Sequence, residues 1–107
     1  FIPELTERLQ NSNRLIVIPK DPLPEPLKGR VEFIESNGHT PGQMHTLIHG
    51  DKENVFFCGD LIPGRPWVHL PITMGYDRFP EMVIDEKQKV YERALKEDWL
   101  LFFTHDP

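Results

Sequence analysis

Residues 38–60 read GHTPGQMHTLIHGDKENVFFCGD, and this stretch decides the fold. Apolar and polar residues alternate over residues 44–49, and residues 55–58 form a short apolar run, so both segments are predicted to be β-strands. The residues between them, 50–54, are typical of a turn. The stretch therefore predicts an antiparallel hairpin that follows a rigid Thr-Pro-Gly turn and ends in a Gly-Asp pair.

Further strands are predicted on both sides of this hairpin. Residues 15–18, 31–35 and 99–103 are short runs rich in β-branched, aromatic and other apolar side chains, which is the pattern of buried strands. Two helices are predicted as well. The first covers residues 4–10, where Leu5 and Leu9 lie one helical turn apart.

The second helix is predicted to begin at Asp85, which forms a capping box with Gln88 three positions later. Its apolar residues share one face, which should pack on the sheet: Val83, Val90, Tyr91, Ala94 and Leu95. Strands, then a helix, then a strand predict an α/β fold with a mixed sheet rather than a doubly wound one.

Residues 61–80 form a long irregular segment with four prolines and two glycines. A loop of this length in a compact domain is commonly a binding element or a lid. We therefore regard Trp67, His69, Tyr76 and Arg78 as candidate substrate contacts. For Trp67 and Tyr76 the alternative is that the rings anchor the loop on the core.

Composition and charge exclude several classes of partner. The 107 residues carry 12 Lys and Arg against 17 Asp and Glu, a net charge of −5, and show no basic cluster that would favour nucleic acid. No apolar run approaches the roughly 18 residues of a membrane span. The single cysteine, Cys58, excludes an internal disulfide and is interpreted as a packed strand residue.

Three side chains stand where metal ligands would be well placed. His39 lies in the turn formed by residues 38–42, whereas Asp60 and His105 each follow a predicted strand. Strand ends on one side of a sheet can hold imidazole nitrogens and a carboxylate at a common rim, as a metal site requires. Each residue alone also has an ordinary structural interpretation, as a turn or surface residue.

The same residues resemble a known family, the metallo-β-lactamase-fold hydrolases. Gly38-His39-Thr40-Pro41-Gly42 is similar to the third metal motif of that family, Gly59-Asp60 to the fourth and Thr104-His105 to the fifth. The separations, 21 positions from His39 to Asp60 and 45 from Asp60 to His105, are usual for compact members. The resemblance implies a four-layer αβ/βα sandwich, of which residues 1–107 would be a partial domain, mainly its second half.

The resemblance also implies roles for the three residues. His39 would complete the ligand set of one zinc ion, His105 would bind a second, and the Asp60 carboxylate would bridge the two. A hydroxide shared by two zinc ions would then attack a small ester, lactone or thioester. The family's His-x-His-x-Asp-His signature is absent here, so the catalytic residues are expected upstream of Phe1 and the chain alone is expected to be inactive.

Two alternatives to a dizinc hydrolase stay open at this point. The same ligand types can hold a single iron ion, as in persulfide dioxygenase-like members, and a member of the fold can also be a non-catalytic binding protein. Gln43 stands where the family often has a histidine that supports the site without binding metal. This departure leaves the expected ligand set unchanged.

The expected partner is a small-molecule substrate, with no nucleic acid and no membrane. Half of a sandwich would expose one face of its sheet, so a homodimer or a longer chain is expected to cover that face. The first residue is not Met, and we interpret the sequence as a segment of a longer protein. The sequence favours the cytoplasm only weakly, because a targeting signal could precede the segment.

Overall fold

A computed structural model describes residues 2–18 and 22–106 of the chain. Two α-helices, four strands and one short 3-10 helix account for its regular structure. In chain order they are α1 (Pro3–Asn11), β1 (Val31–Ser36), β2 (Gln43–His49), β3 (Asn54–Phe57), the 3-10 helix (Arg65–Val68), α2 (Pro80–Glu97) and β4 (Trp99–Phe102). Within the described ranges no helix has the length and apolar character needed to cross a membrane.

The four strands form one mixed sheet in the order β1-β2-β3-β4. β2 pairs antiparallel with both β1 and β3, and β4 pairs parallel with β3. The predicted hairpin is therefore confirmed, and so is the α/β class. Because β2 alone runs in the opposite sense, β1, β3 and β4 all point in one direction.

One face of this sheet packs against α2. Leu47, Phe56 and Trp99 come from three strands and join Val83 and Val90 of α2 in a single buried cluster. Successive residues of a strand point to opposite faces, so the neighbours of these core residues belong to the other face. We call the face against α2 the inner face and the opposite one the outer face.

The segment predicted as the first strand, residues 15–18, is not one. Ile16 and Val17 are 77% and 78% exposed, and these residues pair with no strand of the described chain. A strand needs a neighbour to satisfy its backbone. Apolar, β-branched composition alone is therefore insufficient to form a strand, and the prediction of a strand at residues 15–18 was wrong.

The second helix begins five residues earlier than predicted, at Pro80 rather than Asp85. Its N-cap is Phe79 and no side chain caps it, so the predicted capping box does not start the helix. Proline is well suited to the first helical position because its fixed φ is already helical and its missing N–H leaves nothing unpaired there. The helix ends at Glu97, and its C-cap Asp98 adopts a left-handed conformation with φ 54°.

The prediction of which α2 residues pack on the sheet needs one correction. Leu95 is 87% exposed, whereas Lys87 is fully buried. The long stem of Lys87 suits an apolar environment, and its ammonium finds hydrogen-bond acceptors at the end of that stem. A lysine therefore replaces a leucine among the buried residues of this helix.

Candidate metal centre

The three candidate ligands lie at one edge of the sheet. His39, Asp60 and His105 each follow the last residue of a strand by three positions, after β1, β3 and β4 respectively. These three strands run in the same direction, so their carboxyl ends meet at a common edge, which is where ligands commonly bind in α/β sheets. The topology alone therefore brings together residues that are up to 66 positions apart.

Asp60 lies between the two imidazoles. Its Oδ2 is 3.5 Å from His39 Nε2, and its Oδ1 is 3.1 Å from His105 Nε2. Each carboxylate oxygen thus faces a different histidine. The side chain of His39 is only 15% exposed, whereas those of Asp60 and His105 are 43% and 64% exposed, so the group opens to solvent on the His105 side.

His39 is held from behind by a second carboxylate. Its Nδ1 lies 2.8 Å from Oδ1 of Asp77, whose side chain is 1% exposed. Met74 N–H donates to the other oxygen of Asp77 at 2.7 Å. No local pattern predicts this pair, because Asp77 lies in the irregular loop 38 residues beyond His39.

The turn that carries His39 is fixed by α2. Both oxygens of Glu86 accept backbone N–H groups, from Asn37 at 2.7 Å and from Gly38 at 3.0 Å. A side chain at Gly38 would collide with this helix, because its Cβ would lie 2.5 Å from the backbone nitrogen of Val83. Gly38 therefore allows the His39 turn to approach the first turns of α2 closely.

Hydrogen bonds between the segments that follow β3 and β4 hold Asp60 and His105. Thr104 Oγ1 donates to the carbonyl of Gly59 at 3.2 Å, and the N–H of His105 donates to the carbonyl of Pro63 at 2.9 Å. Gly59 has φ 51°, a left-handed conformation that favours glycine. A Cβ there would also lie 2.8 Å from Nε2 of Gln43, so Gln43 packs directly beneath the Asp60 turn.

Two further groups near this edge, Cys58 and His45, are completely buried. Burial raises the pKa of the Cys58 thiol to about 12, so Cys58 is a packed residue as predicted. Nε2 of His45 lies 2.7 Å from Ser36 Oγ. Burial lowers the pKa of His45, while nearby backbone carbonyls oppose the shift.

The four predicted substrate contacts separate into two pairs. Tyr76 and Arg78 flank Asp77 beside His39: the Tyr76 ring stands edge-on to the imidazole with centroids 6.0 Å apart, and the N–H of Arg78 donates to the His39 carbonyl at 3.2 Å. Trp67 instead packs against the buried core, and His69 is exposed. The structure thus places Trp67 as a loop anchor, whereas Tyr76 is 76% exposed beside His39.

The donor set fits a divalent metal. Imidazole nitrogens and carboxylate oxygens are the ligands that zinc and iron accept, and each Nε2 already faces an oxygen of Asp60. In the described part of the chain no group of three or more His, Cys, Asp or Glu residues is arranged so that it could hold a metal ion by itself. Three donors shared by two ions would leave each ion short of ligands, which is consistent with further ligands lying outside this set.

A sequence comparison with known families then decides the affiliation. The model of the metallo-beta-lactamase superfamily matches residues 3–105. The chain belongs to the metallo-beta-lactamase superfamily. A search of curated proteins finds no match.

Solved structures of the superfamily share the fold of this chain. A probable metal-dependent hydrolase from Staphylococcus aureus matches 89% of the chain with 25% identity and a TM-score of 0.74. AidC, a dizinc quorum-quenching lactonase in complex with an N-hexanoyl-L-homoserine product, matches 98% with 20% identity and a TM-score of 0.72. The hydrolase AbOPH matches 94% with 20% identity and a TM-score of 0.72.

The chain spans about a third of each of these proteins, namely 33%, 36% and 34%. The sheet and helix described above therefore correspond to a partial domain of the superfamily fold. The solved neighbours named here are hydrolases, one of them with two zinc ions. The partial α/β domain expected from the sequence is thereby confirmed as to fold.

Proposed function

We propose that the protein is a metal-dependent hydrolase in which His39, Asp60 and His105 bind two zinc ions. The observation that carries this proposal is the position of Asp60. Its two oxygens face the Nε2 atoms of two different histidines at 3.5 and 3.1 Å. A carboxylate with one oxygen directed at each of two ligands is well suited to bridge two cations and to offset their mutual repulsion.

Each residue has a distinct part in this arrangement. His39 would hold one ion through Nε2, because its Nδ1 is engaged by Asp77. His105 would hold the other through Nε2, and Asp60 would contact both. Zinc ions bound here would act as Lewis acids and lower the pKa of a coordinated water toward ~7. The remaining ligands and the catalytic acid-base group are expected upstream of residue 1.

The proposed substrate is a small ester, lactone or thioester. Support comes from the neighbours, since AidC and an N-acyl homoserine lactone hydrolase both contain an N-hexanoyl-homoserine product. In this chain Tyr76 offers an exposed ring beside His39, and Arg78 an exposed side chain next to it. We propose these two as substrate contacts, with His69 and Trp67 farther along the same loop as weaker candidates.

Metal analysis of the full-length protein tests the proposal. We expect two zinc ions per chain, a loss of at least one in His39→Ala and in His105→Ala, and hydrolysis of at least one member of a panel of small lactones, esters and thioesters. His49→Ala is a matched control, because His49 is an exposed histidine at the far end of β2.

Three results would contradict the proposal. One iron per chain together with oxygen uptake would replace it by persulfide dioxygenation. Full zinc occupancy without hydrolysis of any panel member would indicate a binding protein. Unchanged zinc content in both His39→Ala and His105→Ala would show that the metal lies elsewhere.

A further inference from the structure

Asp77 uses both of its carboxylate oxygens inside the protein. Oδ1 lies 2.8 Å from His39 Nδ1, and Oδ2 accepts the N–H of Met74 at 2.7 Å. The side chain is 1% exposed. We propose that Asp77 is a positioning residue that fixes the tautomer of His39 and thereby makes its Nε2 a metal ligand. This inference rests on the proposed function, since it assigns a role to the residue behind a proposed ligand.

The chemistry of the pair determines the tautomer. A neutral imidazole carries one N–H and one bare nitrogen, and an ionised carboxylate can only accept hydrogen bonds. Both imidazole nitrogens of His39 face carboxylate oxygens, but Nδ1 lies 2.8 Å from Asp77, within hydrogen-bond distance, whereas Nε2 lies 3.5 Å from Asp60. The shorter contact favours the proton on Nδ1, directed at Asp77. This leaves the lone pair of Nε2 directed toward the Asp60 side, which is the arrangement that metal-binding histidines need.

Asp77 is kept in place by the backbone around it. Its own N–H donates to the Met74 carbonyl at 3.1 Å, and the next N–H, that of Arg78, donates to the His39 carbonyl at 3.2 Å. The N–H of Phe79 then donates to the Gly38 carbonyl at 2.8 Å. The loop and the turn are thus joined through both main chain and side chain, so His39 and Asp77 are held in register.

Lys87 fixes the preceding part of the same loop. Its Nζ donates to the carbonyls of His69, Leu70 and Ile72 at 2.9, 3.1 and 3.0 Å. Burial lowers the pKa of Lys87, and the negative charge of Asp77 opposes this shift. The three hydrogen bonds from Lys87 thus shape the part of the loop that precedes Asp77.

The substitution Asp77→Asn would replace one hydrogen-bond acceptor by a donor, with almost no change in the shape of the side chain. The site needs two acceptors, one for the Met74 N–H and one for the His39 Nδ1–H, but an amide supplies one acceptor and one donor group. If the oxygen stays with Met74, the amide N–H₂ faces Nδ1. His39 must then move its proton to Nε2, which blocks metal binding there.

The experiment compares Asp77→Asn with the unmodified full-length protein. Zinc affinity is measured by competition with a chromophoric chelator, and the His39 tautomer by ¹⁵N chemical shifts in the metal-free protein. We expect zinc to bind about 10- to 100-fold more weakly in Asp77→Asn. We also expect the proton to sit on Nδ1 in the unmodified protein and on Nε2 in the variant.

Asp51→Asn serves as the matched control. Asp51 is an exposed carboxylate in the turn between β2 and β3, at the end of the sheet opposite to the candidate ligands, and its replacement should change neither readout. Equal zinc affinity in Asp77→Asn and the unmodified protein would overturn the inference. So would a proton on Nε2 of His39 in the unmodified metal-free protein, a measurement that needs no variant to fold.

Two substitutions distinguish the metal centre from the positioning role of Asp77. If His39→Ala leaves zinc binding unchanged, the proposed metal centre is wrong. If His39→Ala weakens zinc binding and Asp77→Asn does not, the metal centre stands and only the positioning role of Asp77 is refuted.

Discussion

The two faces of the sheet have very different environments. On the inner face, Leu47 and Phe56 are completely buried under α2. On the outer face, Ile48, Phe57 and Phe102 are 47%, 39% and 53% exposed, and the two phenylalanine rings stack on each other with centroids 5.6 Å apart. An apolar surface of this kind indicates a missing contact rather than a solvent-facing surface.

The apolar outer face accounts for the continuous apolar runs of β3 and β4. Strands that are covered on both faces lose the alternation of apolar and polar residues, and residues 55–58 and 99–103 show no such alternation. The chain spans about a third of the solved structures that it matches. We therefore expect the outer face to be covered in the longer protein, with a homodimer as the alternative.

The largest expected effect distinguishes the two faces directly. In a protein consisting of residues 1–107, Phe56→Ala should lower the free energy of unfolding by about 3–5 kcal/mol, because it opens a cavity in the only buried cluster of the described residues. Phe57→Ala should lower the free energy of unfolding by less than half as much, because the Phe57 ring is already partly exposed. Urea unfolding of both variants measures the difference.

The same two substitutions, made in the full-length protein, test whether the outer face is covered there. If a segment outside residues 1–107 covers the outer face, Phe57→Ala should lower the free energy of unfolding there about as much as Phe56→Ala. Unequal losses in both proteins would show that the outer face stays open. If the losses are equal, analytical ultracentrifugation shows whether a second copy provides the cover.

A smaller loss is expected where α2 meets the His39 turn. Gly38→Ala should destabilise the fold by about 1–3 kcal/mol, since the new Cβ would lie 2.5 Å from the backbone nitrogen of Val83. Gly75→Ala is the control, because a Cβ at Gly75 meets nothing within 4 Å. Equal thermal stability of the two variants would contradict the close approach of turn and helix.

The pH dependence of stability should reflect the buried His45 of the inner face. Burial holds the pKa of His45 below its ordinary value of 6.5. As the pH falls below 6.5, the unfolded chain takes up a proton that the folded chain resists, so stability decreases on acidification by at most about 1.4 kcal/mol per pH unit.

Urea midpoints at pH 7.5 and pH 5.5 measure how much stability is lost on acidification. His45→Asn should remove part of the pH dependence, whereas His49→Asn, which replaces an exposed histidine, should retain it. A full pH dependence in His45→Asn would assign the effect to other groups.

The smallest expected effect lies at the rim of the inner face. Arg93 of α2 lies over the Trp99 ring, 4.7 Å from its centroid, and forms a two-point ion pair with Glu32 at 2.8 and 3.1 Å. Hydrogen bonding to Arg93 lowers the pKa of Glu32, so the pair stabilises the fold above pH 4.5 and is lost as the pH falls through the lowered pKa. Because both side chains are 41% exposed, Glu32→Gln should cost less than about 1 kcal/mol at pH 7. Acid titration of the unmodified protein and of Glu32→Gln measures the stability that the ion pair contributes.

Local patterns in the sequence were sufficient for most of the sheet. The hairpin, β1 and β4 were predicted within one or two residues, because alternation, apolar runs and turn residues are local signals. The candidate ligands were found from motifs at strand ends. Their convergence at 3.1 and 3.5 Å followed from the shared direction of β1, β3 and β4, which the sequence did not specify.

Long-range contacts determined what the sequence could not show. Asp77 and Lys87 acquire their environments from segments 15 to 38 residues away, and nothing in their neighbours along the chain marks them. The start of α2 depends on the contact between Phe79 and Gly38. Residues 15–18 have the composition of a strand, but no neighbouring strand in the described chain pairs with them.

Glu86 and Lys87 are consecutive residues of one helix, yet they hold two separate segments, the His39 turn and the loop of residues 69–72. Successive residues of an α-helix are separated by about 100° around its axis. One residue inserted between Val83 and Glu86 would therefore rotate both anchors away from their partners at once. Changes in chain length near the beginning of this helix should thus displace the His39 turn and the loop together.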